Sequence, residues 1–308
     1  MYKALVIGCG NIGALYDIKG KKTLTHAKAY HLNSKFNISV YDTDPHKAKQ
    51  IAKKYKISFV EKLTEEELKK FDFVSICTPT DQHFKLLIRL LNLKTKIILC
   101  EKPVSYSGPE LELLKKKYSK SSSKVLVNYI RRFQPAYAEV KSYLAKNLKD
   151  KKPGQIIIKY KRGFINNGSH AFDTLNYLLD TKTHLKKVKL ILKTYDLNGL
   201  DPTLTCNTNY NNTELSVIGI TNTDCPLFEI EIYFNTSKLL IRESGNLIEY
   251  YSIDTKTKQL KLKKTWMGAL DNYMEHVLNA AVEIHKNKRE DNFLHSLQLN
   301  KTLLQFSK

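Results

Sequence analysis

Long apolar runs are missing from this chain of 308 residues. No stretch of about 18 uncharged apolar residues is present, so the sequence holds no candidate for a membrane-spanning helix. The opening residues MYKALVIGCG lack both the length and the cleavage pattern of a secretory signal peptide. We therefore expect a cytoplasmic protein that does not bind a membrane.

Cysteine is scarce, and its spacing does not match the common metal-binding and redox motifs. No CxxC pair occurs, and three of the five cysteines lie in or beside apolar runs typical of strands. We expect reduced, mostly buried thiols and no metal site. The five residues are Cys9, Cys77, Cys100, Cys206 and Cys225.

Arginine is also scarce, although the chain is strongly basic. The formal net charge is +21, and such a surface attracts phosphate. Only six of the 51 basic residues are arginine, the side chain that best reads phosphates and bases. The lysines are scattered and interleaved with acids, as in EKLTEEELKK. This pattern favours a solvated lysine surface and no nucleic-acid partner, with a nucleic-acid binder kept as an alternative.

The first half of the chain alternates short apolar runs with helical stretches. Such alternation predicts a doubly wound α/β domain with a parallel sheet. The carboxyl ends of parallel strands share one edge, where a ligand is expected to bind. The predicted strands lie in KALVIG, ISVYD, ISFV, FVSICTP, KIILCEKP and KVLVNY.

A GxGxxG motif, GCGNIG, follows the first predicted strand directly. Gly8 permits a tight turn, Gly10 lets the backbone approach a pyrophosphate, and Gly13 lets the following helix pack on the strand. The motif is weak alone, but its place at the first strand-to-helix junction predicts a dinucleotide site.

The second predicted strand, ISVYD, ends in an acid. Asp42 can accept hydrogen bonds from the adenosine ribose hydroxyls and would repel a 2′-phosphate, which predicts NAD(H) rather than NADP(H). It lies 29 residues past Gly13, beyond the usual spacing of about 20. We attribute the excess to an insertion around YDIKGKKTLTH.

The second half changes its period and predicts an α+β domain on a large, mostly antiparallel sheet. Strand-like runs include QIIIKYKRGF, residues 187–197, TELSVIGIT, FEIEIYFN, KLLIRES, LIEYYSID and KQLKLKK. One late helix carries an apolar stripe that we expect in the core, formed by Leu270, Met274, Val277, Leu278 and Ala281. We expect a dinucleotide-binding domain over 1–127 and a domain for substrate binding and oligomerisation over 128–308.

The stretch LCEKPVS ends a buried strand with a carboxylate and an ammonium side by side. Pro103 restricts the preceding residue and removes a backbone donor, so further strand pairing stops there. Lys102 is therefore expected to project over the carboxyl edge of the sheet.

The order of these motifs resembles the glucose-fructose oxidoreductase, inositol 2-dehydrogenase and MocA family. GxGxxG is followed by TPTDQH, EKP, NYIRRFQP and NGSHAFD, so the resemblance covers residues 4 to about 180. It implies an NAD(P)-dependent oxidoreductase acting on a secondary alcohol of a sugar, cyclitol or nucleotide-sugar. It also implies a homodimer or homotetramer formed through the sheet of the second domain.

The resemblance implies cofactor contacts along the sheet edge. Glu101 would bond near the nicotinamide ribose, and Lys102 would reach both that ribose and the substrate hydroxyl. For His83, a histidine satisfied on the helix surface is the alternative. The implied cofactor-binding residues are Gly8, Gly10, Asn11, Ile12, Gly13, Asp42, Thr78, Pro79, Thr80, His83, Glu101, Lys102, Asn128 and Arg131.

The implied catalytic residues are Lys102, His170 and Asn166. His170 in NGSHAFD matches the catalytic histidine of the family, whereas Asn166 stands where much of the family has an aspartate. An amide cannot take up a proton, so the proton transfer shifts toward His170 and Lys102. The leading hypothesis is an NAD-dependent dehydrogenase, and the alternative is a catalytically reduced member acting as an NAD-binding regulator or sensor.

Overall fold

The computed structural model describes residues 1–148, 152–195, 199 and 201–307. The chain forms two compact units, which are described separately. The first comprises Met1–Ile130 and Asp271–Leu297, and the second comprises Arg131–Leu270 and Gln298–Lys308.

A six-stranded, fully parallel sheet forms the centre of the first unit, with strand order β3-β2-β1-β4-β5-β6. Every residue of β4 and β5 is buried, as expected where helices cover both faces of a parallel sheet. The predicted doubly wound α/β domain is confirmed. The strands are β1 (Tyr2–Ile7), β2 (Phe36–Tyr41), β3 (Ser58–Phe59), β4 (Phe73–Ile76), β5 (Ile97–Cys100) and β6 (Lys124–Val127).

Four of the α-helices in the described residues begin at a capping side chain, which is Thr25, Asp44, Thr64 or Ser107. In one example Asp44 accepts the amide hydrogen of His46, directly before a proline in the first helical turn. The helices are α1 (His26–Leu32), α2 (Pro45–Tyr55), α3 (Glu65–Leu68), α4 (Thr80–Asn92), α5 (Gly108–Tyr118), α6 (Pro135–Asn147), α7 (Ser169–Leu179), α8 (Tyr273–His285) and α9 (Phe293–Ser307).

The glycine motif does not run directly into α1. A five-residue π-helical turn, Asn11–Leu15, follows it, and the chain then loops before α1 begins at His26. The extra residues predicted around YDIKGKKTLTH form this loop. The Asp17 carboxylate stabilises it by accepting the amide hydrogens of Leu24, at 2.5 Å, and Thr25, at 2.9 Å.

An eight-stranded sheet forms the centre of the second unit, with strand order β14-β13-β12-β11-β7-β10-β9-β8. β7 and β10 are parallel, and the other neighbouring pairs are antiparallel. The predicted α+β fold is thereby confirmed. The strands are β7 (Gln155–Lys161), β8 (Leu185–Thr194), β9 (Thr203–Tyr210), β10 (Thr213–Ile220), β11 (Phe228–Tyr233), β12 (Ser237–Arg242), β13 (Leu247–Ile253) and β14 (Leu260–Met267).

Two strands of this sheet differ from the expectation. β9 was not predicted, because its sequence TLTCNTNY is polar and owes its conformation to pairing with β8 and β10. The run predicted over 187–197 corresponds to β8, which ends at Thr194, and residues 196 and 197 lie outside the described residues.

The apolar stripe predicted on the late helix lies in the core, except at its first member. Met274, Val277, Leu278 and Ala281 are buried on α8, whereas Leu270 precedes the helix and is partly exposed. α8 packs in the first unit, where Thr23 donates its hydroxyl to Glu275 at 2.7 Å. The domain division at residue 127 stays a prediction, and the compact units place 271–297 with the amino-terminal part.

The cysteines and helices of the described residues can be compared with the expectations from composition. All five cysteines are free thiols, and only Cys225 is exposed, as predicted. No described helix has both the length and the apolar character needed to cross a bilayer. Among the same residues no group of three or more histidine, cysteine or acidic side chains could hold a metal ion.

Candidate functional site

The glycine loop after β1 is shaped by close backbone contacts. Gly8 has φ +99°, and a Cβ there would lie 2.8 Å from the Cys77 carbonyl carbon at the end of β4. A Cβ on Gly13 would overlap the Gly8 carbonyl oxygen, whereas a Cβ on Gly10 would meet open space. Gly8 and Gly13 therefore close the loop, and the backbone at Gly10 is open to a ligand.

Asp42, directly after β2, is held against this loop. Its Oδ2 accepts the Cys9 amide hydrogen at 2.7 Å, and its Oδ1 accepts that of Asp44 at 2.9 Å. Each carboxylate oxygen keeps a second lone pair for a ligand hydroxyl. Burial, with the charge of Asp42, raises the pKa of the Cys9 thiol to about 12, so Cys9 is a neutral packing residue. The structure thus brings the predicted acid and the glycine loop together.

The segment Thr78-Pro79-Thr80 lies between β4 and α4, at the same sheet edge. Gly8 packs against the backbone here, since a Cβ added to Gly8 would be 3.0 Å from the Thr78 nitrogen. The Thr78 hydroxyl oxygen is buried and has no hydrogen-bond partner in the described part of the chain. A buried polar atom without a partner is costly, and a ligand would satisfy it.

His83 is buried on α4 rather than on its surface. Its Nδ1 lies 2.9 Å from the Pro103 carbonyl oxygen, and its Nε2 lies 2.9 Å from that of Thr78. Burial lowers the pKa of His83 in spite of these two bonds. The side chain therefore connects the loops after β4 and β5. This geometry favours a positioning role, and direct contact with a cofactor stays a prediction.

Glu101, directly after β5, is a buried carboxylate in a dense network. Its Oε1 accepts from Asn128 Nδ2 at 2.5 Å and lies 3.0 Å from His26 Nε2. Burial alone would raise the pKa of Glu101, but His26, Asn128 and the charge of Lys102 outweigh burial and lower it. Glu101 is thus held as an anion at the strand end.

Three residues that support Glu101 were not predicted from the sequence. His26 is completely buried, with Nδ1 at 3.0 Å from the Ser75 hydroxyl, and Tyr30 OH lies 3.1 Å from the same hydroxyl. With a hydrogen on Nε2 and none on Nδ1 of His26, hydrogens can be donated in one direction, from Tyr30 to Ser75, to His26 and to Glu101. The insertion between the glycine motif and α1 hid the relation of these residues to the site.

Lys102 follows this carboxylate and is partly exposed. The bond between Lys102 and Pro103 is a cis peptide. β5 ends at Cys100, so Lys102 lies at the carboxyl edge of the parallel sheet, as predicted from its position. Its charge contributes to the lowered pKa of Glu101.

His170 and Asn166 lie in the second unit on one helical segment. A π-helical turn, Phe164–Gly168, leads directly into α7, and His170 is in the first turn of that helix. Both side chains are partly exposed. The spacing of four residues places them on successive turns of one face. Their catalytic roles stay predictions.

Arg131 is buried within the second unit. Its guanidinium carbon lies 3.4 Å from the centre of the Phe228 ring, and its Nη2 donates to the Ser244 carbonyl at 2.6 Å. Burial lowers its pKa. These contacts stabilise the fold of the second unit. Asn128, by contrast, donates a hydrogen bond to Glu101 at the carboxyl edge of the parallel sheet. A cofactor contact by Arg131 stays a prediction.

The first unit has the architecture of a dinucleotide-binding Rossmann domain, with the glycine loop and Asp42 at the carboxyl edge of its parallel sheet. Residues 2–129 match the GFO_IDH_MocA family, described as an oxidoreductase family with an NAD-binding Rossmann fold. This match confirms, over these residues, the resemblance seen in the sequence.

Curated relatives are similar to parts of the chain. Inositol 2-dehydrogenase of Rhizobium meliloti (strain 1021) is 31% identical over 139 residues, which cover 44% of this chain and 38% of that protein. The uncharacterized oxidoreductase YrbE of Bacillus subtilis (strain 168) is 24% identical over 215 residues, covering 64% and 60%. The matches therefore span less than two thirds of either relative.

Solved structures extend the similarity in fold to nearly the whole chain. UDP-N-acetylglucosamine 3-dehydrogenase GnnA from Acidithiobacillus ferrooxidans has a TM-score of 0.80 and 16% sequence identity. The alignment covers 99% of this chain and 96% of that chain. At this identity the comparison establishes the fold alone.

Proposed function

We propose that the protein is an NAD-dependent oxidoreductase that transfers a hydride between nicotinamide and a secondary alcohol or ketone of a sugar, cyclitol or nucleotide-sugar. The observation that carries this proposal is the pair Glu101-Lys102 at the carboxyl end of β5, in the same parallel sheet as the glycine loop. A fixed anion and an ammonium at this edge suit a ribose and a reacting hydroxyl.

The residues at the sheet edge fit a dinucleotide. Open space at Gly10 leaves room for a pyrophosphate. The buried Thr78 hydroxyl has no hydrogen-bond partner among the described residues, and a ligand would supply one. Asp42 would accept the adenosine ribose hydroxyls and disfavour a 2′-phosphate, which supports NAD(H). Glu101 would accept a hydroxyl of the nicotinamide ribose.

In this proposal the side chains of the protein accept the substrate proton and stabilise the developing negative charge. When bound, the cofactor supplies a hydride acceptor or donor at its nicotinamide ring. Lys102 would hold the substrate hydroxyl and stabilise its developing negative charge. His170 would accept the hydroxyl proton as a general base, and Asn166 would hydrogen-bond the substrate without accepting a proton.

The substrate class is supported by the relatives, and not by a contact in this chain. One relative is named inositol 2-dehydrogenase, and the structural neighbour is named UDP-N-acetylglucosamine 3-dehydrogenase. A cyclitol and a nucleotide-sugar share a secondary alcohol on a ring. We therefore propose a ring carbinol as the reacting group.

Two alanine variants test the proposal on a panel of sugars, cyclitols and nucleotide-sugars, followed by nicotinamide absorbance. Lys102→Ala and His170→Ala should each lower kcat by roughly 100-fold or more. His170→Ala should keep its NAD affinity within a few fold, whereas Lys102→Ala is expected to weaken cofactor binding as well. Exposed residues of the same type, in Lys94→Ala and His184→Ala, serve as controls with unchanged kcat.

The outcomes separate the candidate functions. If His170→Ala keeps the wild-type kcat on an active substrate, His170 is not the base. If no alcohol or carbonyl is turned over while NAD binds tightly, the protein is an NAD-binding regulator or sensor. The neutral amide of Asn166 is the observation that favours this second candidate.

We further propose that the protein forms a homodimer or homotetramer through the eight-stranded sheet. Ile218 and Ile220 on β10 are each 36% exposed within the chain and lie on one face of the sheet. Light scattering should give a mass of two or four times 35.6 kDa, and a monomer mass would contradict the proposal.

A further inference from the structure

A short segment of the second unit binds four successive backbone N–H groups. Gly163 donates to the Thr203 hydroxyl at 2.9 Å, and Phe164 donates to the Pro202 carbonyl at 2.8 Å. The next two groups donate to the two carboxylate oxygens of Asp201. Ile165 binds Oδ1 at 2.8 Å and Asn166 binds Oδ2 at 2.7 Å.

This arrangement solves a general problem of helix starts. The first N–H groups of a helical segment have no acceptor within that segment. Here residues 201–203 supply acceptors from elsewhere in the chain, and Asp201 places a negative charge where the helix dipole favours one. We call residues 201–203 the clamp.

Gly163 shows how closely the clamp approaches the turn. Its φ is +69°, and a Cβ at this position would lie 2.6 Å from Asp201 Oδ2. A side chain would displace the carboxylate, so the glycine leaves room for Asp201. The fit indicates one defined position of the clamp on the turn.

The clamped turn carries the residues that the proposed reaction uses. Asn166 donates its own amide hydrogen to Asp201, and His170 follows four residues later, at the start of α7, into which the turn leads directly. We propose that Asp201 is a positioning residue, which fixes the backbone of the turn and thereby the approach of His170 to the substrate hydroxyl. This inference rests on the proposed function, because it takes His170 as the base.

The alternative is that the clamp only stabilises the fold of the second unit. A structural role predicts lower thermal stability with kcat unchanged in the folded protein. A positioning role predicts a lower kcat at saturating substrate, with little change in KM for the cofactor. A shift of about 1 Å in a reacting group is enough to lower the rate about 100-fold.

The test compares two substitutions of graded effect. Asp201→Asn keeps one acceptor oxygen for the two N–H groups, and Asp201→Ala removes both acceptors. We expect kcat to fall about threefold in the first and at least about tenfold in the second. Asp180→Ala is the matched control, since Asp180 caps the other end of α7 and pairs with Lys141 on the surface. Its kcat should equal that of the wild type.

A second measurement does not depend on finding a substrate. Hydrogen exchange at the Ile165 and Asn166 amides should speed up in both Asp201 variants, while exchange in the middle of α7 stays slow. The imidazole NMR signals of His170 should shift in the Asp201 variants and stay in place in the Asp180 control.

Three results would overturn the inference. They are wild-type exchange at Ile165 and Asn166 in Asp201→Ala, faster exchange without any change in kcat, and His170 signals that do not move. If the wild-type protein turns over no substrate, the proposed function fails. In that case the exchange and NMR measurements still decide whether Asp201 positions the turn.

Discussion

At the scale of single residues, Glu101 shows how a buried charge is kept. Two hydrogen-bond donors, His26 and Asn128, reach the same carboxylate oxygen, and Lys102 is the next residue in the chain. A buried carboxylate without such partners would be neutral. Its pKa instead lies below the usual range, so the anion is present before any ligand binds.

This shift predicts a pH dependence of stability. Because the pKa of Glu101 is lower in the folded chain, the contribution of its charged form is present above the ordinary pKa, near 4.5, and is lost as the pH falls through the folded pKa. Glu101→Gln should therefore lower the free energy of unfolding more at pH 7 than at pH 4. Urea titrations of the wild type and the variant at pH 7 and pH 4 measure the free energy of unfolding. The prediction would be contradicted if the wild type and the variant differed by the same amount at both pH values.

Asp42 predicts the choice of cofactor. Its charge lies against the glycine loop, where a ribose 2′-phosphate would be repelled, so calorimetry should give at least about tenfold tighter binding of NAD(H) than of NADP(H). Asp42→Ala should narrow that ratio. Asp44→Asn, which keeps a capping side chain but removes a charge two residues away, should leave it unchanged. Equal affinities in the wild type would refute the assignment.

At the scale of secondary-structure elements, two glycines of the loop after β1 have different roles, one in folding and one in binding. Gly13→Ala would overlap the Gly8 carbonyl and should destabilise the fold by about 1–3 kcal/mol. Gly10→Ala meets open space in the chain, so it should keep the melting temperature and weaken NAD binding by about tenfold or more. Thermal melts and calorimetry test this pair. A Gly10→Ala variant with unaltered NAD affinity would show that the cofactor does not approach this backbone.

The elements differ in how well the sequence predicts them. β4, β5 and residues 4–7 of β1 are buried on both faces, and the three strands were predicted from their apolar runs. β9 was missed although Leu204, Cys206 and Tyr210 alternate with polar residues and are buried, because most of its residues are polar and its pairing partners decide its structure.

The candidate site shows the same division. The positions of Gly8, Asp42 and Lys102 at the sheet edge could be predicted, because each lies within two residues of a strand end. His26 and Asp201 could not be predicted, since each contacts residues that are distant in sequence. His26 contacts Glu101, and Asp201 contacts Asn166. Local pattern carries no information on such contacts.

At the scale of the whole molecule, the net charge of +21 is the dominant property. Solvated, scattered lysines should bind duplex DNA weakly and without sequence preference. This binding should be lost when the salt concentration rises from low to physiological. Fluorescence anisotropy with two unrelated duplexes at about 20 mM and 150 mM salt measures this. Nanomolar affinity that survives the higher salt would favour a nucleic-acid binder over the enzyme.

The place of Asp271–Leu297 in the first unit has a consequence for how the chain is made. The Asn292 side chain accepts the amide hydrogen of Val127 at 2.8 Å and donates to the Val127 carbonyl at 2.9 Å. The edge strand β6 is therefore completed by a residue that is synthesised 165 positions later. Domains that fold during synthesis do so once their last segment has left the ribosome. The amino-terminal unit must therefore wait, unfinished, while nearly all of the second unit is translated. A nascent chain stalled after residue 130 should be more accessible to protease than one released in full.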